Sequence, residues 1–251
     1  MSRFVKNPNL PQGKVSTLVC GTNDKSILGF FGGYGISVLQ NAANPFVDPA
    51  VSTHADMSVL YLGDGLVLLD KNQAKLRQQL SELGFEAVET DEEIKGTYPD
   101  DVKLNFTVTQ EYVIGNFGYA DSRLTELIGA RRKINVRQGY CKCSTLVADE
   151  NAIITDDPSI HRNAVENGID SLLISKGDIR LDGHDYGFIG GASGKIAHDT
   201  VVFFGDVTLH RDFENISAFL KKHGCGYICT DNSELRDIGG IVVLEEKSHK
   251  C

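Results

Sequence analysis

The sequence predicts an α/β protein of five related units, each with two strands, a helix and a third strand, closed into a ring by a C-terminal strand. Three observations predict this fold class. Five helical segments begin at an Asp and end at or near a Gly, a short strand follows each of them, and a strand hairpin precedes each of the last four. The helices recur at intervals of roughly 35 to 55 residues, which is typical of propellers and arrays.

The predicted helices share the same end signals. An Asp side chain caps the free N–H groups of the first turn, and the closing Gly supplies a left-handed conformation. Apolar residues at helical spacing lie between them. Pro158 stands in the first turn of the fourth helix, where its missing N–H costs nothing. The helices span Asp24–Gly35, Asp70–Gly84, Asp121–Gly129, Asp157–Gly168 and Asp212–Gly224.

Short apolar runs around these helices predict the strands. Polar turns such as Gly63-Asp64-Gly65 and Asp149-Glu150-Asn151 join them in pairs, as hairpins require. The strands after the helices are Ile36–Leu39, Phe85–Val88, Ile134–Val136, Ile169–Ile174 and Tyr227–Cys229. The predicted hairpins pair Ser58–Leu62 with Leu66–Leu69, Leu104–Val108 with Tyr112–Ile114, Thr145–Ala148 with Ala152–Ile154, and Thr200–Phe204 with Val207–Leu209.

The two ends of the chain predict how the ring closes. Only Val15–Cys20 precedes the first helix, and a spare apolar run, Ile241–Leu244, ends the chain. A C-terminal strand that completes the first unit removes a sheet edge open to aggregation. The alternative is a doubly wound sheet, which predicts single strands between helices and not recurring hairpins. We expect one domain, with units at about residues 13–50, 54–100, 101–139, 140–183 and 184–245.

Composition restricts the possible partners. The 251 residues carry a net charge of −9, which disfavours sequence-independent binding to nucleic acid or to an anionic membrane. No apolar run is long enough to span a bilayer, and the first residues lack the apolar core of a signal peptide. We therefore expect a cytoplasmic protein with reduced thiols, and Cys251 on a frayed end. The oligomeric state is not indicated.

Two local motifs and the repeated unit carry a family resemblance. His54-Ala55-Asp56-Met57 and Ala197-His198-Asp199-Thr200 precede apolar runs, and glycine pairs stand at Gly190-Gly191 and Gly239-Gly240. With five closed units, these features resemble the pentein superfamily of amidinotransferases, arginine and agmatine deiminases, dimethylarginine hydrolases and a non-catalytic ribosomal anti-association factor. The resemblance covers most of the chain and implies a β/α propeller with an axial pocket.

The chain departs from the catalytic penteins at one position. In those proteins a nucleophilic Cys follows the glycine pair of the last module. Here Ile241-Val242-Val243-Leu244 follows Gly239-Gly240, with no Cys. The chain is therefore expected to be a divergent member, and the resemblance supports the fold more strongly than the reaction.

Residues just before the predicted strands are the candidate site, because the starts of these strands would converge on the axis. Aligned hairpins bring Asp56, Lys142 and His198 to comparable positions, followed by Met57, Cys143 and Asp199, with Asn105 nearby. Solvated loops also place polar residues before strands, so a purely structural explanation remains open.

Cys141-Lys142-Cys143 is the most suggestive segment, because a neighbouring ammonium favours a thiolate. We expect Cys143, and less so Cys141, to attack a guanidinium carbon, with His54 or His198 as proton donor and Asp56 or Asp199 as guanidinium ligand. Asn105, Lys142, Cys141 and Ser193 are the expected substrate contacts. A buried structural role for the cysteines is the alternative.

A zinc site from Cys141, Cys143, His54 and His198 is a further alternative, although Cys-x-Cys is a weak metal signal. The segment 190–195 contains several small residues and exposes N–H groups that suit an anion, but it does not match a P-loop, and a flexible connector explains it. The sequence predicts no cofactor and no metal.

Two functions follow. The first is an enzyme that hydrolyses or transfers the amidino group of a small, cationic guanidino compound by thiol chemistry. The second is a non-catalytic pentein that binds a small molecule or a protein, which the missing Cys after Gly239-Gly240 favours.

Overall fold

The computed structural model describes residues 2–248, and these residues form a mixed α/β protein of small sheets and short helices. The expectation for Cys251 lies outside this part of the chain. The strands are β1 Ser2–Phe4, β2 Val15–Val19, β3 Ser37–Leu39, β4 Val59–Gly63, β5 Leu66–Leu69, β6 Glu86–Glu89, β7 Thr107–Val108, β8 Tyr112–Gly115, β9 Arg132–Asn135, β10 Thr145–Asp149, β11 Ala152–Thr155, β12 Asp170–Leu173, β13 Ile179–Arg180, β14 Ser193–Ala197, β15 Thr200–Phe203, β16 Gly226–Cys229, β17 Leu235–Arg236 and β18 Val242–Lys247. The α-helices are α1 Lys25–Gly33, α2 Ala55–Ser58, α3 Ala74–Glu82, α4 Ser122–Leu127, α5 Pro158–Glu166 and α6 Phe213–Lys222.

Four sheets have the same three-stranded order. An antiparallel hairpin is followed by a helix, and a third strand then pairs in parallel with the second, in β4-β5-β6, β7-β8-β9, β10-β11-β12 and β14-β15-β16. A fifth sheet has the order β1-β18-β2-β3. In it the C-terminal strand β18 pairs antiparallel with β2, with Val242 opposite Val19, as the spare apolar run predicts. The strand–strand–helix–strand connectivity is confirmed; the closed ring stays a prediction, as do the unit boundaries.

The ends of the helices confirm most of the predicted caps. Asp24, Asp121 and Asp157 accept hydrogen bonds from N–H groups of the first turn. The closing glycines are left-handed, with φ between 61° and 88°. Two carboxylates have other partners. Asp70 precedes a 3-10 turn and accepts from the Ile94 N–H, and Asp212 accepts from the Ser175 N–H, so both join neighbouring segments.

The hairpin of the fifth unit differs from the prediction. Residues 193–197 are not a connector but the buried strand β14, which pairs with β15. Val207–Leu209 is a 3-10 turn capped by Asp206 and not a strand, because Gly205 leaves the sheet with a φ of 112°. The segment Ala197–Thr200 is therefore the turn of the hairpin, and the predicted pairing of Thr200–Phe204 with Val207–Leu209 is wrong.

Apolar side chains between sheets and helices form the core. Helix α1 buries Ile27 and Phe31, and α6 buries Ile216, Phe219 and Leu220. Leu244 of β18 is fully buried with Leu18 of β2 in one cluster, so the closing strand contributes to the core as well as to the sheet. Within the described residues, no helix is both long and apolar enough to cross a membrane.

Candidate functional site

Five segments that precede β4, β7, β10, β14 and β18 meet at one place; we call them the central segments. They approach closely enough for a cyclic series of hydrogen bonds. Asn105 Nδ2 donates to the Asp56 carbonyl (3.1 Å), Lys142 N to Asn105 Oδ1 (2.8 Å), Gly191 N to the Cys143 carbonyl (3.0 Å), Gly240 N to the Gly191 carbonyl (2.8 Å), and Asp56 N to the Gly239 carbonyl (3.3 Å). Each segment therefore fixes the position of the next.

The glycine pairs permit this approach. Gly239 has a φ of 78°, and a Cβ there would lie 2.4 Å from the His54 Cα. A Cβ at Gly190 would lie 2.2 Å from the Lys142 carbonyl oxygen. The glycines before β14 and β18 thus leave room for His54 and for the Cys143 segment. The reactive side chains belong to the other central segments.

Asn105 organises the thiol of Cys143. Its Nδ2 donates to Cys143 Sγ at 3.0 Å, and its Oδ1 accepts from the backbone N–H of Cys143 at 3.2 Å. The Asn105 side chain is fully buried and Cys143 is 2% exposed. An amide donor favours the thiolate over the thiol, so Asn105 is suited to hold a nucleophilic sulfur in a fixed direction.

His54 is the N-cap of the short helix α2, which leads into β4, and Asp56 is the second residue of that helix. Both are buried, and the two Asp56 carboxyl oxygens and His54 Nδ1 have no hydrogen-bond partner among the described residues. Unpartnered buried polar atoms are costly, and a catalytic role or a bound molecule is one explanation for them. The predicted candidates His54, Asp56, Asn105, Lys142 and Cys143 are thus brought together.

Asp237 belongs to this cluster and was missed by the sequence analysis. Its Oδ1 lies 3.7 Å from His54 Nδ1 and accepts from the Gly239 N–H, while Oδ2 accepts from the Phe188 N–H at 2.9 Å. A Cβ at Gly191 would lie 1.9 Å from the same carboxylate. Its position two residues before the second glycine pair is the only sequence signal that could have found it.

Burial sets the electrostatics of the cluster. It raises the pKa of the Asp56 carboxyl from 3.8 to about 6, although the nearby His54 and Lys142 oppose this shift. Burial raises the pKa of the Cys143 thiol well above its usual value, and the carboxylates of Asp56 and Asp237 raise it further. Burial also lowers the pKa of the Lys142 ammonium. In the ligand-free protein Cys143 is therefore a neutral thiol beside negative charge.

A cavity of about 290 Å³ gives access to this cluster. Its inner wall includes His54, Cys143 and Asp237, and the other lining residues are Asp48, Val51, Tyr140, Leu181, His184, Asp185, Tyr186 and Phe188. A second cavity of about 350 Å³ lies against the same His54, Leu181 and Asp237. The volume of the first cavity suits a small ligand.

Four predicted site residues do not join the cluster. His198 and Asp199 are exposed in the turn between β14 and β15, because the hairpin lies earlier in the chain than predicted. Ser193 is buried and donates to the Ile189 carbonyl oxygen, and the Cys141 thiol donates to the Gln138 carbonyl oxygen at 3.0 Å. The roles expected of His198 and Asp199 at the centre are therefore corrected.

The zinc alternative finds no support in the geometry. His198 lies in an exposed turn and Cys141 points to a backbone carbonyl. Across residues 2–248, no group of three or more His, Cys, Asp or Glu side chains is arranged to hold a metal ion.

Comparisons with known proteins agree with the predicted family resemblance. The model of a family of unknown function, DUF6873, matches residues 18–242. No sequence among the curated proteins matches this chain. Among solved structures, the inosamine-phosphate amidinotransferase of Streptomyces griseus is 9% identical with a TM-score of 0.62, covering 99% of this chain and 98% of that one.

Two further solved structures have similar folds. Agmatine deiminase from C. jejuni, with substrate bound, is 11% identical with a TM-score of 0.57, and the match covers 100% of this chain and 98% of that chain. A dimethylarginine dimethylaminohydrolase is 7% identical with a TM-score of 0.56, covering 93% and 100%. These proteins are penteins, so the likeness confirms the pentein fold and, at this identity, the fold alone.

Proposed function

Because the chain belongs to the DUF6873 family and has the pentein fold, we propose that it is an enzyme that acts on a small guanidino compound through Cys143. One observation carries the proposal. Cys143, His54 and Asp237 line the inner end of a cavity, the Asp56 carboxyl is buried close to them, and its two oxygens and His54 Nδ1 have no hydrogen-bond partner among residues 2–248. The solved structures of similar fold include two named for amidinotransferase and agmatine deiminase activity, which supports the same class of substrate.

We further propose that the five sheets surround a common axis and that the site lies on it. The cyclic series of hydrogen bonds among the central segments supports this arrangement. The whole chain forms one domain in this proposal, because a site assembled from segments throughout the chain requires all of them.

Electrostatic attraction brings the substrate into the site. The carboxylates of Asp237 and Asp56 attract a guanidinium, whose N–H groups suit paired hydrogen bonds to carboxylate oxygens. The same two carboxylates raise the pKa of the Cys143 thiol in the empty site. A bound cation offsets their charge, so substrate binding favours loss of the thiol proton to His54. The thiol is thus activated when substrate is present.

The reaction then proceeds by covalent catalysis. The Cys143 sulfur forms a bond to the guanidinium carbon, and the C–N bond to the leaving amine breaks as His54 returns the proton to that nitrogen. Water attacks the resulting S-linked amidine carbon as His54 takes one of its protons, the S–C bond breaks, and the product leaves with the oxygen of water. The proton on His54 then returns to the Cys143 sulfur, which restores the thiol. If an acceptor amine attacks in place of water, the same intermediate yields a transferred amidino group.

Affinity labelling tests the proposal. Chloroacetamidine carries a cationic amidine and a carbon that alkylates thiols, and chloroacetamide is its neutral counterpart. We expect the amidine to label Cys143 at least about tenfold faster than the amide does, because the carboxylates concentrate the cation. Peptide mass spectrometry locates the adduct. Equal rates for the two reagents, or an adduct on another cysteine, would contradict the proposal and favour a non-catalytic binding protein.

A further inference from the structure

The walls of the cavity are aromatic and rigid. Tyr140 stacks on Phe188 with ring centroids 6.0 Å apart and an interplanar angle of 25°, and Tyr186 meets Phe188 edge-on. The Tyr140 hydroxyl donates to Asp101 Oδ2 at 2.8 Å, which fixes the orientation of its ring. A ligand between the inner thiol and the solvent therefore passes along aromatic surface.

The outer part of the cavity is acidic. Asp48 and Asp185 are exposed there, and Asp48 Oδ2 lies 3.3 Å from Nε2 of His184. Asp185 has no ion-pair partner among residues 2–248, and no Lys or Arg occurs among the described residues that line this cavity. Lys176 contacts the Tyr186 ring, with its Nζ 5.3 Å from the centroid, but does not line the cavity.

We propose that the substrate is a small dication, with a guanidine at one end, a second positive group at the other, and no carboxylate. This inference rests on the proposed function, since it assumes that the guanidine occupies the inner end of the cavity. It names Asp48, Asp185 and the aromatic walls as the residues that select the distal end of the substrate.

Two physical effects lead to this class of substrate. In this cavity a carboxylate at the distal end would lie near Asp48 and Asp185, with no Lys or Arg among the lining residues to receive it, and such like-charge contacts are unfavourable. An ammonium group there is attracted by both aspartates and by the faces of the tyrosines, since aromatic rings attract cations.

The size of the cavity limits the length of the substrate. A volume of about 290 Å³ is at the lower end of the range for small-molecule sites. A short unbranched chain between the two charged ends fits this volume, whereas a peptide or a nucleotide does not.

Binding calorimetry on the Cys143→Ser variant tests the inference, because this variant is expected to bind guanidines without turning them over. The ligands are three guanidines with the same four-carbon chain, which ends in an amine, a methyl group or a carboxylate. We expect the amine to bind at least about tenfold more tightly than the carboxylate, a ratio that corresponds to about 1.4 kcal/mol. The methyl compound is expected between them.

A second set of variants assigns the preference to named residues. In the Cys143→Ser background, Asp48→Asn with Asp185→Asn is expected to reduce the preference for the amine about tenfold. Asp199→Asn is the matched control, since Asp199 is exposed in a turn and does not line the cavity. The control is expected to leave the preference unchanged.

The outcomes separate this inference from the proposed function. If the carboxylate binds as tightly as the amine, if the preference survives the double substitution, or if none of the three ligands binds, the dicationic substrate is wrong. The labelling of Cys143 by chloroacetamidine is measured independently on the wild-type protein. Labelling without a preference for the amine retains the thiol chemistry and overturns only the substrate class.

Discussion

Asn105 joins two halves of the candidate site, because one amide group contacts both the Asp56 backbone and the Cys143 thiol. The sequence could predict that Asp56, Asn105 and Cys143 approach each other, since all three precede apolar strands. It could not predict Asp237, which belongs to a loop without a strand pattern. The error for His198 arose from the register of one hairpin, because a shift along the chain moved it from the centre to an outer turn.

The two cysteines of the segment Cys141-Lys142-Cys143 provide the first prediction. Cys143→Ser is expected to lower kcat/KM for a guanidine substrate by at least about a thousandfold, because a serine hydroxyl is a far weaker nucleophile than a thiolate. Cys141→Ser is the matched control, since this thiol is buried and donates to a backbone carbonyl that a hydroxyl also reaches. Steady-state kinetics on both variants are the measurement. Comparable losses of kcat/KM in the two variants would mean that damage to the fold, and not removal of a nucleophile, lowers the activity.

The raised pKa of Asp56 provides a second prediction, on stability. The folded protein holds this proton more tightly than the unfolded chain does. Its contribution to stability is therefore complete below about pH 3.8 and lost as the pH rises through about 6. Asp56→Asn has no such loss, so its free energy of unfolding relative to wild type should rise by about 2 kcal/mol between pH 4 and 7.5. Urea denaturation across this range measures the difference, and a difference independent of pH would contradict the assignment.

The same carboxyl should control the acidic limb of the activity. Guanidinium binding requires ionised Asp56, so kcat/KM is expected to fall below about pH 6. Asp156 is the control, because burial also raises the pKa of its carboxyl, to about 7, but its Oδ2 already accepts from the Ile189 N–H. Asp156→Asn should leave the acidic limb in place. If the acidic limb of kcat/KM shifts along the pH axis in this variant, the carboxyl that controls the limb is Asp156 and not Asp56.

At the scale of elements, the Asp and Gly signals that recur at the ends of the helices allowed most of the fold to be predicted. Helices that end at left-handed glycines and short strands that follow them were predicted from the Asp-to-Gly pattern, and the structure has both. Residues 193–197 were misread because a strand rich in small residues resembles a loop. Its burial depends on contacts such as the one from Lys195 Nζ to the Ala148 carbonyl, which connects distant parts of the chain.

Two left-handed glycines provide the third prediction. At Gly239 a Cβ would lie 2.4 Å from His54 Cα, whereas at Gly224 nothing lies within 4 Å of the same added atom. Gly224→Ala should therefore cost only the conformational penalty, about 1–2 kcal/mol. Gly239→Ala should cost clearly more and lower kcat/KM, because His54 must move. Chemical denaturation and kinetics test both, and equal costs would mean that the central segments do not pack as described.

At the scale of the whole molecule, strand β18 connects the end of the chain to its beginning. It lies between β1 and β2 in one sheet, and its Leu244 is fully buried. The spare apolar run at the end of the sequence predicted this pairing. The position of the cavity could not be predicted in this way, because its walls come from loops whose conformation depends on their neighbours.

The closing strand provides the fourth prediction. Leu244→Ala should destabilise the protein by about 2–5 kcal/mol, as expected for a leucine truncated in a core. Lys247→Ala, at an exposed position of the same strand, should cost less than about 0.5 kcal/mol. Urea denaturation measures both. A small loss at Leu244 would mean that β18 does not complete the core.

The mass of Cys143 during turnover tests the central claim most directly. A guanidine substrate is mixed with the wild-type protein, the reaction is quenched in acid, and peptide mass spectrometry locates any modified residue. We expect an amidino group on Cys143 while substrate is present, and its disappearance once substrate is consumed. Product formation without any modification of Cys143, or with the modification on another residue, would contradict the account.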